Sequence, residues 1–457
     1  MKQLACLLLC FMGRDAALAQ APALFFERLT TQNGLSHNKV SCILQDKRGF
    51  IWLGTEDGLN RYDGKNFVHY RSRPNDTTTI SGNIITGLLE DSAGVLWITT
   101  ADGGLTRYNY RLPPPQQFKQ YKHIPGNKNS IPNSNLTCLL QDGRGFLWLG
   151  SRGNSVLRFN KKTERFDDFT KSPKTVLSLS LDAKGQVLAG REGGGVLQID
   201  PVRFSFKEDE RYKQLYARLP HAAVTALYKD GHQNIWLGSW DKILYRQQAH
   251  TGAEESFGNR GKFSFQPDEV LSFAEDKTGR LWIGGKDHGL QVYDPSNNYF
   301  HSFTYNPAKE GSLASNRIHC IFRDAAGSMW LGTDRGVCIS APNQQQFVQT
   351  FLHSATGRPV NIYQFFEHDS ALWLGTSEGL FIRRQDGAWV QQPLVYGGKP
   401  LQVTAIFKKK GQYYLGTQYS LFSYNAVTHQ VSLLPNTDKD TVMRNLIESR
   451  IVAMVED

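Results

Sequence analysis

Seven aspartates recur along this chain, and a row of carboxylates could bind calcium or take part in acid catalysis. They are Asp46, Asp91, Asp142, Asp182, Asp230, Asp276 and Asp324. A metal or catalytic site needs several such groups in one place. Here each aspartate precedes its own turn and a Trp or Leu six residues later, so the seven carboxylates belong to seven separate turns. We therefore predict that they cap hairpins.

Other reactive residues lack the spacing that chemistry requires. The 12 histidines are scattered, and no Gly-x-Ser-x-Gly elbow, His-Glu-x-x-His motif or phosphate-binding glycine loop occurs. Cys42, Cys138 and Cys320 each lie four residues before a repeat Asp, so we predict small core residues rather than disulfide partners or metal ligands. The sequence predicts no catalytic residue, no metal, no cofactor and no enzymatic activity.

The elements that position these residues are short β-strands. One position of each repeat, which we call the aromatic slot, holds Trp52, Trp97, Trp148, Trp236, Trp282, Trp330 and Trp373. Leu188 and Tyr414 occupy it in two weaker copies. The nine slots are 40 to 51 residues apart, which is the length of one four-stranded propeller blade. This period predicts an all-β fold.

The first unit shows how one repeat makes a blade. Strands are predicted at 40–44, 50–55, 59–62 and 67–70, separated by turns rich in Asp and Gly. A Gly follows the aromatic slot by two residues in eight of nine units, with Thr99 the exception. We predict that this Gly allows close backbone approach within the blade and that the Trp fills the space between blades.

The N-terminus reads as an export signal over residues 1–19: Lys2, an apolar stretch from Leu4 to Met12, and the small-residue site Ala17-Leu18-Ala19. Export argues against nucleic acid as the partner of a chain with net charge +10. The run Lys408–Lys410 is predicted to be a solvated hairpin turn, although an anionic ligand remains possible.

Two kinds of turn differ in their variability. The turns that begin with the repeat Asp are nearly uniform, whereas the turns after the Trp strand vary from blade to blade. Since varied loops on a uniform scaffold often carry recognition, we predict ligand-binding residues among the varied turns. The candidates are Trp240, Asp241, Arg152, Asp287, His288 and Arg335. Trp240 could stack on a sugar face, or it could simply pack on its neighbour.

The string from Asn33-Gly34-Leu35-Ser36 through Gly49-Phe50-Ile51-Trp52-Leu53-Gly54 to Asp63-Gly64 resembles the two-component regulator propeller repeat, and the match recurs from residue 25 to the end. The resemblance implies the periplasmic sensor region of a hybrid two-component system, with paired seven-bladed propellers that sense oligosaccharides. In such a parent, a membrane helix and a histidine kinase follow, and the inner-membrane protein is expected to be a homodimer. Ligand binding would bias the arrangement of the propellers.

The expected organisation is a signal peptide at 1–19, a seven-bladed propeller at 20–345 and the first blades of a second, truncated propeller at 346–457. The segment 25–30 looks like an outer strand that could close either ring. Residues 449–457 repeat the register of 38–46, so the chain is expected to be a fragment that stops inside a tenth blade. Ligand sensing is the favoured function, with a protein-interaction scaffold as the alternative and a propeller enzyme such as a lyase less favoured.

Overall fold

The structure is a computed structural model that describes residues 24–127, 129–153, 155–168, 174–203, 205–208, 223–258, 264–341, 352, 354, 360–368, 371–383, 389–435 and 450–451. The predicted signal at residues 1–19 lies outside these residues. The chain divides into two compact units, residues 1–345 and 346–457.

The first unit is a seven-bladed β-propeller, and each blade is a four-stranded antiparallel sheet. The strands of blades 1 to 3 are Val40–Gln45, Ile51–Thr55, Gly58–Tyr62, Phe67–Tyr70; Ile85–Glu90, Leu96–Thr100, Gly104–Tyr108, Phe118–Tyr121; and Leu136–Gln141, Leu147–Ser151, Ser155–Asn160, Arg165–Asp168. Those of blades 4 and 5 are Val176–Leu181, Val187–Arg191, Gly195–Asp200, Ser205–Glu208; and Val224–Lys229, Ile235–Ser239, Leu244–Gln247, Glu254–Phe257. Those of blades 6 and 7 are Val270–Glu275, Leu281–Gly285, Leu290–Asp294, Tyr299–Phe303; and Ile318–Arg323, Met329–Thr333, Gly336–Ser340.

The fourth strand of blade 7 comes from the other end of the chain. Glu27–Leu29, the closing strand, pairs antiparallel with the third strand of blade 7, with Arg28 opposite Cys338. The Arg28 guanidinium also donates to the backbone carbonyls of Ser312 and Leu313 at 2.9 and 3.0 Å. The N-terminal strand therefore closes the first ring, which resolves the choice that the sequence left open.

The second unit holds two further blades and a small hairpin. The strands of blades 8 and 9 are Ile362–His368, Ala371–Thr376, Gly379–Arg383, Trp389–Gln392; and Val403–Lys409, Gln412–Thr417, Leu421–Asn425, Gln430–Leu433. The hairpin pairs Val395–Tyr396 with Lys399–Pro400. Two short helices, Thr31–Asn33 and Pro114–Gln117, are the helical segments among the described residues of the chain.

The lysine run departs from its prediction as a solvated turn. Lys408 and Lys409 belong to the first strand of blade 9, and only Lys410 lies in the turn. The Lys408 ammonium contacts the imidazole of His368 and lies 4.8 Å from the centre of the Tyr413 ring. For Lys408 the prediction was wrong because the strand runs further than the apolar pattern indicates.

In six of the seven blades of the first unit, the repeat Asp joins the turn of its blade to the Trp of the same blade. In blade 1, Asp46 Oδ1 accepts the backbone N–H groups of Arg48 and Phe50 at 3.0 and 3.1 Å. The other oxygen, Oδ2, accepts the indole N–H of Trp52 at 2.9 Å. The same Asp–Trp bond, 2.8 to 3.0 Å long, recurs in the pairs Asp91–Trp97, Asp142–Trp148, Asp230–Trp236, Asp276–Trp282 and Asp324–Trp330. The predicted hairpin capping is thus one of two roles of these carboxylates, and the other is to accept the indole N–H.

The Gly after the Trp slot lets neighbouring blades touch. A Cβ built on Gly54 would lie 2.4 Å from Cys42 Sγ in its own blade and 2.6 Å from Ile85 Cγ2 at the start of the next inner strand. Gly332 of blade 7 meets Val40 of blade 1 in the same way, which seals the ring. The close approach predicted within the blade therefore extends to the next blade. In the second unit, Ile451 packs against Gly416 as Ile85 packs against Gly54.

Thr99 replaces this Gly in blade 2, and a Gly occupies the position that faces it across the strand pair. Its cross-strand partner is Gly87, whereas Gly54 faces Cys42 and Gly238 faces Ala226. In blade 2 the side chain therefore lies on the second strand and the Gly on the first, which is the reverse of blades 1 and 5. Thr99 is fully buried, and its hydroxyl donates to the Gly87 carbonyl.

The repeat cysteines are free, partly buried thiols that pack against the core. Burial raises the pKa of Cys42 and of Cys138 to about 12, and it raises the pKa of Cys320 well above its ordinary value. Cys338 is also free and buried, and its sulfur accepts the backbone N–H of Ala314. Thiols with such raised pKa values are poor nucleophiles, which suits a packing role.

We predict that Trp148→Phe lowers the free energy of unfolding by about 2–4 kcal/mol, because Asp142 is 4% exposed and would keep a buried charged oxygen without its indole donor. Urea unfolding followed by circular dichroism measures the change. Trp373→Phe is the control, since Glu367 and not Asp occupies the corresponding place, and it should cost under about 1.5 kcal/mol. Equal losses would contradict the role of the Asp–Trp bond.

The exchanged pair in blade 2 allows a double-mutant cycle. Thr99→Gly should leave a void, and Gly87→Ala should clash with Leu139 Cδ2 and Thr99 Oγ1, which lie 2.5 and 2.8 Å from the built Cβ. We expect each single change to cost about 1–3 kcal/mol. The double variant recreates the Ala226–Gly238 pair of blade 5, so its unfolding free energy should exceed the additive value by about 1 kcal/mol or more. Simple additivity would show that the two positions are independent.

Candidate functional site

The turns of the first ring lie on two faces of opposite character. The Asp-turn face carries the turns between the first and second strands, where the Asp–Trp bonds lie. The varied-turn face carries the turns between the second and third strands, and these bond to the connections that lead into the next blade. Gly58 N–H, for example, donates to the Asn83 carbonyl at 2.8 Å, and Gly289 N–H to the Asn316 carbonyl at 3.0 Å. The connections between blades therefore lie beside the varied turns.

Two residues of each blade meet at the varied-turn face, and we call them the rim pair. One immediately precedes the first strand, and the other immediately follows the second strand. The rim pairs of blades 1 to 7 are Lys39/Glu56, Ile84/Ala101, Asn135/Arg152, Thr175/Glu192, Ala223/Trp240, Glu269/Lys286 and Arg317/Asp334. In five of them the backbone N–H of the second residue donates to the carbonyl of the first.

Three consecutive rim pairs are ion pairs. The nitrogen-to-oxygen distances are 2.7 Å for Lys39–Glu56, 2.7 Å for Lys286–Glu269 and 3.8 Å for Arg317–Asp334. These pairs belong to blades 1, 6 and 7, which are neighbours because the ring is closed. The rim pairs of blades 2 to 5 hold at most one charged residue each. The rim is therefore divided into a charged sector and a mostly neutral sector.

Trp240 stands at the end of the neutral sector, beside blade 6. Its backbone N–H donates to the Ala223 carbonyl at 3.1 Å, and its side chain is 42% exposed. Its partner in the rim pair, Ala223, has only a methyl side chain and therefore cannot hydrogen-bond the indole N–H. An exposed ring of this kind can stack on an apolar or sugar face, and its N–H can donate a hydrogen bond.

The residues after Trp240 join it to blade 6. The Lys242 ammonium lies 3.9 Å from Asp287 Oδ2 in the next blade. Asp241 Oδ2 is buried and has no hydrogen-bond partner among the described residues. Trp240, Asp241 and Asp287 are thus brought to one area of the varied-turn face, with Lys242 as a link that the sequence reading missed.

Asp268 holds the blade 6 turn in place. It is 1% exposed and accepts the backbone N–H groups of Asp287, at 3.1 and 3.2 Å, and of His288, at 2.8 Å. Its Oδ2 is also 3.6 Å from His288 Nδ1. His288 is therefore oriented by a buried carboxylate twenty residues upstream. Nothing in the local pattern Lys286-Asp287-His288 signals this contact.

Arg152 and Arg335 lie elsewhere on the same face. The exposed Arg152 belongs to blade 3, and its backbone is fixed by Asn133 and Asn135. Arg335 belongs to blade 7, and its guanidinium lies 5.3 Å from the centre of the Tyr305 ring. The structure places all six candidates on the varied-turn face but spreads them over blades 3, 5, 6 and 7.

One further polar group near the rim was missed. His319 Nε2 lies 2.5 Å from Asp334 Oδ1, in the rim pair of blade 7. Equivalent first-strand positions hold Ser41 and Thr137, whose hydroxyls donate to backbone carbonyls of the next blade. The available signal was a His at a position that holds Ser or Thr in four of the other six blades of the ring. Among the residues that the structure describes, no three His, Cys, Asp or Glu side chains are grouped as metal ligands.

Comparison with known proteins identifies the repeats. A family model described as two component regulator propeller matches residues 34–57, 79–102, 130–153, 264–287 and 312–335. These segments are two-component regulator propeller repeats. Each matched segment ends in a varied turn, so the regulator propeller repeat includes the rim pair.

Solved structures resemble the chain over most of its length. The extracellular domain of BT3049 from B. thetaiotaomicron, described as a hybrid two component system, gives a TM-score of 0.67 at 22% identity, covering 93% of this chain and 62% of that chain. The extracellular domain of BT4673 gives 0.55 at 22% identity, covering 90% and 53%. This chain thus spans less than two thirds of either structure. At this identity the likeness shows the fold.

Two other matches show why the fold alone does not identify the function. A 63-residue segment is 48% identical to histidine kinase P4 of Formosa agariphila, covering 14% of this chain and 5% of that protein. A streptogramin B lyase structure gives a TM-score of 0.53 at 12% identity, covering 69% of this chain and 97% of that one. Sensors and a lyase share the propeller, so function must be argued from the site. Among the described residues, no helix is long and apolar enough to span a membrane.

We predict that the Asp57–Arg71 ion pair on the varied-turn face makes a pH-dependent contribution to stability. The Arg71 guanidinium donates to both Asp57 oxygens at 2.8 and 3.1 Å and lowers the pKa of that carboxyl. A lowered folded-state pKa stabilises above the unfolded value of about 4, and this stabilisation is lost as pH falls through the folded value. Asp57→Asn should therefore cost about 0.2–1 kcal/mol at pH 7, as exposed pairs do.

The cost should disappear when unfolding is measured at a pH below the lowered pKa. Arg71→Gln is the matched control and should show the same pH dependence. A constant difference between Asp57→Asn and the parent protein from pH 7 to acid would contradict the prediction.

Proposed function

We propose that this chain is the ligand-sensing extracytoplasmic part of a hybrid two-component sensor, and that ligand binds the varied-turn face of blades 5 and 6. The observation that carries the proposal is the contrast between the two faces. Six blades repeat the same Asp–Trp bond on one face. On the other face the rim pairs change in charge and size from blade to blade.

The ligand class that best suits this area is an oligosaccharide. The exposed indole of Trp240 supplies a flat apolar surface for the face of a sugar ring. Beside it, the carboxylates of Asp241 and Asp287 and the ammonium of Lys242 can hydrogen-bond hydroxyl groups. Asp241 Oδ2 supports binding here, because it is buried without a partner among the described residues, and a small movement of the turn on binding would let a ligand hydroxyl satisfy it.

The neighbouring candidates would extend the same surface. His288 is oriented by Asp268, and Arg335 and Arg152 lie in blades 7 and 3 of the ring. A chain of several sugar units could reach from blade 5 toward blade 7 across consecutive turns. Because the rim of blades 6 and 7 is paired in charge, this extension suits a neutral ligand better than a strongly acidic one.

The cellular setting is part of the proposal. Residues 1–19 would direct export to the periplasm, residues 20–345 would bind ligand, and residues 346–457 would begin a second propeller. The parent protein would be a homodimer anchored in the inner membrane, with a kinase beyond the membrane. Binding would favour one arrangement of the propellers, and that preference would pass to the kinase.

We expect isothermal calorimetry of the exported chain against a panel of neutral oligosaccharides to find a ligand, and Trp240→Ala to weaken its binding at least tenfold because the stacking surface is removed. Tyr299→Ala is the matched control. Tyr299 is 48% exposed on the outer strand of blade 6, away from the varied turns, and its removal should leave affinity unchanged.

Both variants should retain the circular dichroism spectrum of the parent. Binding of a protein partner with no response to any oligosaccharide would favour the interaction scaffold. Equal loss of oligosaccharide affinity in Trp240→Ala and Tyr299→Ala would remove the proposed surface from consideration.

A further inference from the structure

At one boundary between blades, both rings of an aromatic contact that four other boundaries share are replaced. The Trp of one blade usually packs against an aromatic ring on the third strand of the next blade. The pairs are Trp52–Tyr108, Trp97–Phe159, Trp236–Tyr293 and Trp330–Tyr62, with ring centres 5.3 to 6.2 Å apart. Between blades 4 and 5 both rings are replaced at once. Leu188 occupies the Trp slot, and Gln247, opposite Ile235, occupies the place of the partner ring.

A cavity of about 140 Å³ lies at this boundary, on the Asp-turn face. Its lining includes Leu188 and Ile235, which are both buried, and the amide side chains of Gln198, Gln233 and Gln247. A cavity of about 150 Å³ accommodates a molecule the size of benzene. The space is therefore of the order of a small aromatic molecule, and it lies where the indole of the repeat is missing.

The hydrogen-bond acceptor that serves the indole elsewhere is still present. Asp182 Oδ1 accepts the backbone N–H groups of Lys184 and Gln186 at 2.8 and 2.9 Å, as in the other blades. Oδ2, which accepts an indole N–H in six blades, here accepts Gln198 Nε2 at 3.1 Å. A carboxylate oxygen can accept a second hydrogen bond. The pocket thus combines an open space beside Leu188 with the acceptor that serves the indole in the other blades.

We propose that this pocket, which we call the blade 4–5 pocket, binds an indole ring supplied by another molecule. The ring N–H donates to Asp182 Oδ2, and the ring lies on Leu188 and Ile235. The amides of Gln198, Gln233 and Gln247 surround it with groups that can bond polar substituents. The six intact blades are the template for this geometry. The pocket is on the opposite face from the proposed oligosaccharide surface and does not depend on it.

The test measures binding of indole to the full chain by calorimetry and by the shift of the unfolding temperature. Saturable binding of indole is expected, with affinity at least fivefold weaker for 1-methylindole, which lacks the N–H donor. N-acetyl-tryptophanamide distinguishes the source. Its binding would indicate a Trp side chain of a protein or peptide, and binding of free indole alone would indicate a small molecule.

Leu188→Trp supplies the ring from the chain itself, so it should abolish indole binding and raise the unfolding temperature. Gln247→Tyr is a second variant that fills the pocket from blade 5, and it keeps the test decisive if Leu188→Trp fails to fold. Absence of indole binding to the parent chain, equal affinity for 1-methylindole, or binding that survives in a folded filled variant would each overturn the proposal.

Discussion

One carboxylate in each blade controls the arrangement of the first ring. One oxygen accepts the backbone N–H groups of the turn, and in six of the seven blades the other accepts the indole N–H between the blades. A buried charge is tolerated only when its hydrogen bonds are complete. In six blades this carboxylate therefore couples the turn, the Trp strand and the packing against the next blade. This coupling explains why the Asp-turn face is uniform and leaves variation to the other face.

The two exceptions in the first ring show what such coupling permits. At Thr99 the missing Gly is compensated directly across the strand pair by Gly87, and the packing is preserved. At Leu188 the missing indole donor is replaced by Gln198, whose amide donates to Asp182, but a cavity lined by Gln198 and Gln247 remains. The first change is neutral for packing, whereas the second leaves a cavity. When a repeat residue is replaced, restoring its hydrogen bonds and restoring its volume are therefore separate requirements.

Much of the architecture could be predicted from the sequence, because strand, turn and slot follow a fixed spacing. The fourth strand of blade 1 was predicted at residues 67–70 and is observed at Phe67–Tyr70, while the second begins one residue late, at Ile51. The ring to which residues 25–30 belong could not be predicted, since an isolated outer strand carries no mark of its partner. The candidate site could be predicted only in part, for a related reason. The contacts of Lys242 with Asp287 and of Asp268 with His288 join turns whose separation depends on the folded ring.

The strand that completes blade 7 also sets the order in which the molecule can be assembled. Arg28 leaves the ribosome first, yet the carbonyls that it binds arrive 284 and 285 residues later. The six blades between can pair their own strands during synthesis, but the last sheet must wait for both ends of the ring, and long-range closure is slow. During that interval the open edge of blade 7 is a template for any matching strand, including the N-terminal strand of a second copy. Closure within one molecule therefore competes with exchange between molecules, and dilution favours the monomeric ring.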